Sequence, residues 1–268
     1  MHWRWWHTAG LVILIVVFPV AALFSGAVLS LFSDPPPESM TPLWIGFMAL
    51  MGITIVLIGH GITGVLNGFL IDPRNKMSLS RLQLVMWTIV VLPAFLAAAA
   101  FNFGVGAEDP VDITVPPEVW GLLGISAGSL VGSGIIKSGR DPADPAAVAQ
   151  ARAAAPNPPA ALAALAPFRN QEVVNAQPQQ ARVSDLFKGE LVGSVDHLEV
   201  GKVQMFFFTL LVVFAYGKDI AAGFDNASER IGSLPELSAG ILALLAISHA
   251  GYLANKSVPI DRENTAGP

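Results

Sequence analysis

The chain has 268 residues, of which 53% are hydrophobic and only 13% are charged, and its formal net charge is -5. Soluble domains carry about a quarter charged residues, so this composition argues against a soluble protein and favours one that contacts lipid. Cysteine is absent, which excludes disulfide bonds, thiolate metal sites and cysteine nucleophiles.

Six apolar stretches approach or exceed the roughly 20 residues that a helix needs to cross a bilayer. In chain order they are residues 9–32, 43–71, 82–103, 119–136, 203–224 and 237–253. The first is much longer than a signal-peptide core, which predicts an uncleaved helix. Lys and Arg are enriched at cytoplasmic helix ends, and the connections between the stretches alternate between acidic and basic. The sequence therefore predicts an all-α polytopic protein of the cell (inner) membrane of a bacterium, with six transmembrane helices in three hairpins and both termini in the cytoplasm.

Two parts of the chain resemble each other. The stretch "SRLQLVMWT", Ser80 to Thr88, shares its polar skeleton with "GKVQMFFFT", Gly201 to Thr209, which lies 121 positions later. Residues 122–133 likewise resemble residues 244–255 at an offset of 122. Each copy contains two spans, so both copies enter the membrane from the same side. The second and third hairpins are therefore predicted to be related by a parallel internal repeat.

These features divide the chain into five predicted parts. They are a first transmembrane hairpin at 1–79, a second hairpin (repeat 1) at 80–137, a cytoplasmic Ala/Pro-rich linker at 138–199, a third hairpin (repeat 2) at 200–256 and a cytoplasmic tail at 257–268. The first half of 138–199 lacks the varied apolar side chains of a packed core, which predicts a flexible linker. Its second half is mixed enough to predict a short amphipathic piece at the inner surface.

The polar skeleton of the repeat has a structural interpretation. Ser80 and Gln83 have the spacing of a capping box, which predicts a helix start. Thr88 and Thr209 are predicted to donate hydrogen bonds to the backbone carbonyl one turn back.

Two sets of residues predict how the helices contact their surroundings. Arg81 and Lys202 are expected to be anchors at the inner headgroup level. Small residues spaced four apart in two helices predict a flat stripe for close helix packing, within one chain or between chains. They are Gly124, Gly128, Gly132, Ala246, Ala250 and Ala254.

No Asp, Glu, Lys or Arg lies in the middle of a predicted span, which argues against carboxylate-driven transport. The candidate pathway or interhelical polar residues are His60, His249, Ser126 and Ser248. A neutral histidine that is hydrogen-bonded between helices is the preferred interpretation. A channel or transporter path lined by these side chains is the alternative.

An enzymatic alternative comes from the motif Gly124-Ile125-Ser126-Ala127-Gly128 in the fourth span and His249 in the sixth. This arrangement partly resembles the rhomboid intramembrane serine proteases, which are also built on six helices. The resemblance implies Ser126 as the nucleophile and His249 as the general base of an intramembrane hydrolase. His60 and Asn67 lie seven residues apart, a wider spacing than in that family, and duplication also accounts for Ser126.

The function that these features favour is a non-catalytic multi-pass membrane protein that works as an assembly, anchoring or sensing subunit. We expect no catalytic residues, no cofactor and no bound metal. The expected partners are the lipid bilayer and either further copies of the chain or a larger membrane complex, with no nucleic acid.

Overall fold

A computed structural model of the protein describes residues 3–14, 39–227 and 230–257, and within these ranges it contains eight α-helices and no strand. The helices are α1 (Trp5–Val12), α2 (Thr41–Thr63), α3 (Leu79–Gly104), α4 (Pro117–Ser138), α5 (Pro145–Ala153), α6 (Pro158–Ala164), α7 (Val200–Asp225) and α8 (Ala239–Ser257). Four of them, α2, α3, α4 and α7, are long and apolar enough to cross a membrane. They indicate a membrane-embedded helical protein, as the composition predicts.

Two of the six predicted spans are not among these four helices. Most of the first, residues 9–32, lies outside the described residues, and only its beginning falls in α1. The sixth coincides with α8, whose buried face carries His249, Tyr252 and Lys256 and is therefore less apolar than the other long helices. Six spans and the internal repeat accordingly stay predictions.

The chain turns sharply after α2. Gly64 ends this helix in the left-handed conformation, with φ 79°, and its amide donates to the His60 carbonyl at 2.8 Å. The chain then folds back so closely that a side chain at Gly68 would collide with the backbone of Gly59. This turn places residues 72–76, which carry three charged side chains, beside the start of α3.

The predicted capping box is wrong, because α3 begins at Leu79 and its N-cap is Ser78 rather than Ser80. Both threonine predictions are confirmed. Thr88 donates to the carbonyl of Leu84 and Thr209 donates to that of Met205, each at 2.8 Å.

The main apolar core surrounds α3, which contacts α2, α4 and α7. Its largest fully buried side chains, listed in chain order, are Met40, Trp87, Phe101, Val119, Leu122, Val212, Tyr216, Ile220 and Leu234. The indole of Trp44 on α2 donates to the Val90 carbonyl at 3.2 Å, which ties α2 to the middle of α3.

The segment 138–199 is folded against the helix ends. Its first half, for which composition predicted a flexible linker, contains α5 and α6. Asp144 and Asn157 cap these helices, because their side chains accept the amides of Ala146 and Ala160 at 2.9 Å. Alanine, the strongest helix former, fills most of both helices. The division of the whole chain into the five predicted parts stays a prediction.

Candidate functional site

Charged side chains gather where the segment 138–199 meets the ends of the long helices. They come from the α2–α3 turn, the end of α4, the segment itself, the start of α7 and the end of α8. We call this group the ionic cluster. Its members are Asp72, Arg74, Lys76, Lys137, Arg140, Glu172, Asp185, Glu190, Glu199, Lys202 and Lys256.

Glu190 of the segment 138–199 is the centre of the ionic cluster. Its Oε2 lies 2.6 Å from the Lys256 ammonium and 3.3 Å from the Arg74 guanidinium. Its Oε1 lies 3.3 Å from the Lys202 ammonium. Burial alone would raise the pKa of Glu190, but Lys202, Arg74 and Lys256 outweigh it and hold that pKa well below its usual value. One carboxylate thus joins the α2–α3 turn, α7 and α8.

Asp72 is the second strongly paired carboxylate. Its Oδ2 accepts two hydrogen bonds from Arg74, at 2.7 and 2.9 Å, and one from Lys137 at 2.9 Å. Burial acts to raise the pKa of Asp72, and the charges of Arg74 and Lys137 lower it below the usual value. Glu190 and Asp72 together raise the pKa of Arg74 against the effect of its burial. Arg74 is therefore the cation that links the two carboxylates.

The pKa values of two members of the ionic cluster are shifted in the direction that favours the neutral form. Burial raises the pKa of Glu172, whose oxygens lie 3.8 Å from Arg74 and 3.9 Å from Arg140, too far for a strong pair. Burial also lowers the pKa of Lys76, which lies 3.7 Å from Asp185. The attraction inside the cluster therefore concentrates on Glu190 and Asp72.

Polar side chains continue from the ionic cluster into the space between α3, α4, α7 and α8. We call this group of side chains, which forms three sets of contacts, the polar seam; its members are Ser80, Gln83, Ser129, Ser133, Thr209, His249, Tyr252 and Lys256. At its mouth, Lys256 donates to the Ser133 hydroxyl at 2.6 Å and the Tyr252 hydroxyl at 3.0 Å. Seven residues separate Lys256 from His249, so the seam is about 10 Å deep.

The deep end of the polar seam is centred on Gln83. Its amide nitrogen donates to the Thr209 hydroxyl at 2.6 Å and lies 3.4 Å from Nε2 of His249. Within the described part of the chain, Gln83 Oε1 and His249 Nδ1 are buried without a hydrogen-bond partner. Beyond them Trp87 and Tyr216 belong to the apolar core.

The two predicted pathway histidines lie in different surroundings. His60 Nδ1 is 2.9 Å from Nε2 of His7 on α1, and Trp6 stacks on His7. His249 lies instead in the polar seam. Ser126 is buried on α4, Ser248 is half-buried on α8, and no hydrogen bond joins Ser126 to His249 among the described residues.

Most of the small-residue stripe is exposed rather than buried between α4 and α8, although a Cβ at Gly132 would lie 3.3 Å from Leu253 of α8. Gly124 and Gly128 are exposed, and no described atom would lie within 4 Å of a Cβ at either position. Ala250 and Ala254 are exposed as well, while Gly132 and Ala246 are half-buried. The residues that α4 buries are Val119, Leu122, Ser126, Ser129 and Ser133. Packing of the stripe between chains stays a prediction.

The two predicted anchors differ in their partners. Lys202 is only 2% exposed, and its ammonium donates to the Lys188 carbonyl at 2.6 Å and lies 3.1 Å from Glu199. Arg81 is half-buried, and its Nε is buried with no hydrogen-bond partner in the described ranges.

No group of three or more His, Asp or Glu side chains among the described residues is arranged to hold a metal ion. Comparison of the chain with protein-family models, with curated proteins and with solved structures finds no match.

Proposed function

We propose that the chain is a non-catalytic multi-pass protein of the bacterial inner membrane, an assembly, anchoring or sensing subunit that presents its cytoplasmic segment in a fixed position. One observation carries this proposal: Glu190 of the segment 138–199 pairs with Arg74, Lys202 and Lys256 from three parts of the helical bundle. A flexible tether would not need such a connection.

Buried ion pairs of this kind are better evidence for a defined arrangement than for high stability. Moving charges out of water is costly, and the pairing offsets this cost only in good geometry. If the segment shifted, Lys256, which is 6% exposed, would lose its carboxylate partner, and Lys202, which is 2% exposed, would lose one of its two. The segment is accordingly restricted to one position on the helix ends, as a platform for a partner protein requires.

The proposed topology has six spans with the segment 138–199 and both termini in the cytoplasm. It is supported by the ionic cluster, which collects the helix ends whose Lys and Arg predict the cytoplasmic side. The proposed repeat is supported by helix lengths, because α3 and α7 both have 26 residues and their first residues, Leu79 and Val200, are 121 positions apart.

Reporter fusions test the topology. Fusions at Ala107 and Asn226 are expected to report the outer side, and fusions at Ala160 and Thr265 the cytoplasm. An outer-side signal at Ala160 would refute the proposed orientation.

Limited proteolysis of the purified protein tests the fixed position of the segment. Glu190→Gln keeps the shape of the side chain but leaves Lys256 without an ion pair among the described residues and takes one carboxylate partner from Arg74 and Lys202, so cleavage within 138–199 is expected to become several-fold faster. Asp196→Asn is the matched control, because its carboxylate pairs with Arg152 at the surface, where it is 68% exposed. Equal cleavage of wild type and Glu190→Gln would contradict the proposal.

A channel or transporter is the second candidate, and the unpaired Gln83 Oε1 and His249 Nδ1 in the polar seam favour it. Titratable histidines that line a hydrated path would make flux depend on pH. The test is ion flux into reconstituted vesicles, with a double variant, His60→Gln and His249→Gln, as the comparison. A pH-dependent flux that the double variant abolishes would establish this candidate and overturn the first.

A further inference from the structure

A groove between α2 and α3 opens beside the α2–α3 turn. It has a volume of about 600 Å³, and we call it the α2–α3 groove. Its apolar walls include Ile55, Ile58, Ile62, Leu84 and Val85. Ile58 and Ile62 are 38% and 59% exposed, so this surface is open on the side that faces away from the bundle.

The mouth of the groove carries one cation, Arg81, on the first turn of α3. Its Nε is buried without a hydrogen-bond partner, and no carboxylate among the described residues forms an ion pair with it. Asp72 also lines the groove, but its carboxylate already binds Arg74 and Lys137. Within the described ranges, the positive charge of Arg81 in the groove is therefore not neutralised.

Arg81 on α3 and Lys202 on α7 differ in their carboxylate partners. Lys202 lies 121 positions after Arg81, at the corresponding place on α7, and has Glu190 and Glu199 as partners. Arg81 occupies the same place on α3, and no carboxylate of the described residues pairs with it. A guanidinium group forms two parallel hydrogen bonds with a phosphate, so a phosphate can take the position that the carboxylates occupy beside Lys202.

The shape of the groove specifies what carries the phosphate. Thr88, which also lines it, is seven residues after Arg81, so the apolar walls continue about 10 Å beyond the charge along α3. A ligand that fits has an anionic head and an apolar chain. We propose that the α2–α3 groove binds one anionic phospholipid, with its phosphate on Arg81 and an acyl chain between Ile58 and Leu84.

Native mass spectrometry of the full chain in detergent tests this site, with phosphatidylglycerol and phosphatidylcholine as the probes. Wild type is expected to retain phosphatidylglycerol preferentially. Arg81→Gln is expected to weaken that retention about fivefold, the effect of one basic residue at a lipid surface. Arg182→Gln removes the same charge from an exposed position of the segment 138–199 and is expected to change nothing.

A second variant tests the apolar part of the groove and keeps the charge. Ile58→Trp fills the groove at an exposed position, so it is expected to fold normally and to lose phosphatidylglycerol retention. Inorganic phosphate at the same concentration is expected not to displace the lipid, because it lacks the chain. Equal retention of both lipids by wild type, or unchanged phosphatidylglycerol retention in both Arg81→Gln and Ile58→Trp, would overturn the proposal.

Discussion

The two ends of the helical bundle are held together by different interactions. At the end that carries the segment 138–199, ion pairs among side chains that are buried or nearly so are added to neutral contacts such as the hydrogen bonds between Asn75 and Asn175. At the opposite end, Asn102 binds the backbone of Ile231 and Pro110 through neutral hydrogen bonds of 2.7 to 3.1 Å. An ion pair at that end joins Arg230 and Asp112, whose side chains are 42% and 71% exposed.

This difference separates interactions that hold the segment 138–199 in one position from interactions that contribute only a little stability. Water competes with the exposed pair, and such pairs contribute little to stability. The buried charges of the ionic cluster cannot be solvated when a partner is removed, so the loss of one partner leaves a large cost. The segment 138–199 is thus tied to the bundle by the interaction that is most sensitive to change.

The largest expected effect follows from removing the centre of the ionic cluster. Glu190→Ala is expected to lower the free energy of unfolding by about 3–5 kcal/mol, because three cations lose their shared carboxylate. Asp112→Ala at the opposite end is expected to cause little measurable change. Denaturant titration in detergent micelles measures both values. Similar losses of unfolding free energy in the two variants would show that the two ends of the bundle do not differ in this way.

Low pH is expected to destabilise the end of the bundle that carries the ionic cluster. The lowered pKa values of Glu190 and Asp72 mean that each contributes stability above its usual pKa of about 4, which is lost as the pH falls through the folded-state value. The raised pKa of Glu172 has the opposite sign, because its contribution is present at low pH and lost as the pH rises. The paired carboxylates are expected to dominate because they lie 2.6 to 3.3 Å from their cations, whereas Glu172 lies 3.8 to 3.9 Å from its own.

Protease protection of the segment 138–199, measured from pH 7 to pH 3, checks this prediction. Protection is expected to fall below about pH 4 in wild type. In Glu190→Gln it is expected to be weak already at pH 7 and to change less. Protection that is constant over the whole range in wild type would contradict the assigned role of the two carboxylates.

Asn102→Ala, at the opposite end of the bundle, is expected to have a smaller effect on stability. Asn102 is fully buried, and the variant leaves the Ile231 amide and two carbonyls without their partner. Loss of such bonds costs about 1–3 kcal/mol. Thermal unfolding measures the change, and protease protection of 138–199 is expected to stay as in wild type. Loss of that protection would show that the two ends are coupled.

The parts of the fold that sequence predicted are those that depend on local composition. The apolar runs located α2, α3, α4 and α7, because a bilayer requires a minimum length of apolar helix. The Thr88 and Thr209 hydrogen bonds were predictable because their acceptors lie four residues back.

The ionic cluster was not predicted, since its pairs depend on contacts distant in sequence. Arg74 and Glu190 lie more than a hundred positions apart, and the basic residues were fully explained by their role in topology. The available signal was Glu190 itself, an acid directly before the apolar pair Leu191 and Val192 in a stretch predicted to form a short amphipathic piece at the inner surface. The spacing of small residues on α4 also did not decide which face is packed, because Ser126, Ser129 and Ser133 define a second face beside the glycines.

The choice between these two faces of α4 can be tested directly. Gly128→Leu is expected to leave the melting temperature of the monomer unchanged, because no described atom lies near that position. Ser129→Leu is expected to lower it, because Ser129 is 2% exposed and lies 3.4 Å from the Ser80 hydroxyl. Size-exclusion chromatography of Gly128→Leu shows whether the stripe packs between chains. A loss of folded monomer in this variant would place the stripe inside the chain.

The smallest expected effect concerns the deep end of the polar seam. His249 contacts Gln83 at 3.4 Å, a long hydrogen bond, whereas His60 contacts His7 at 2.9 Å. Hydrogen bonds between helices in a membrane average roughly 0.6 kcal/mol, so His249→Gln is expected to cost no more than about that amount. His60→Gln is expected to cost more, because it also weakens the docking of α1. If His249→Gln lowered stability more than His60→Gln, the polar seam would be a major part of the bundle's packing. The unpaired Nδ1 of His249 would then no longer favour a hydrated path.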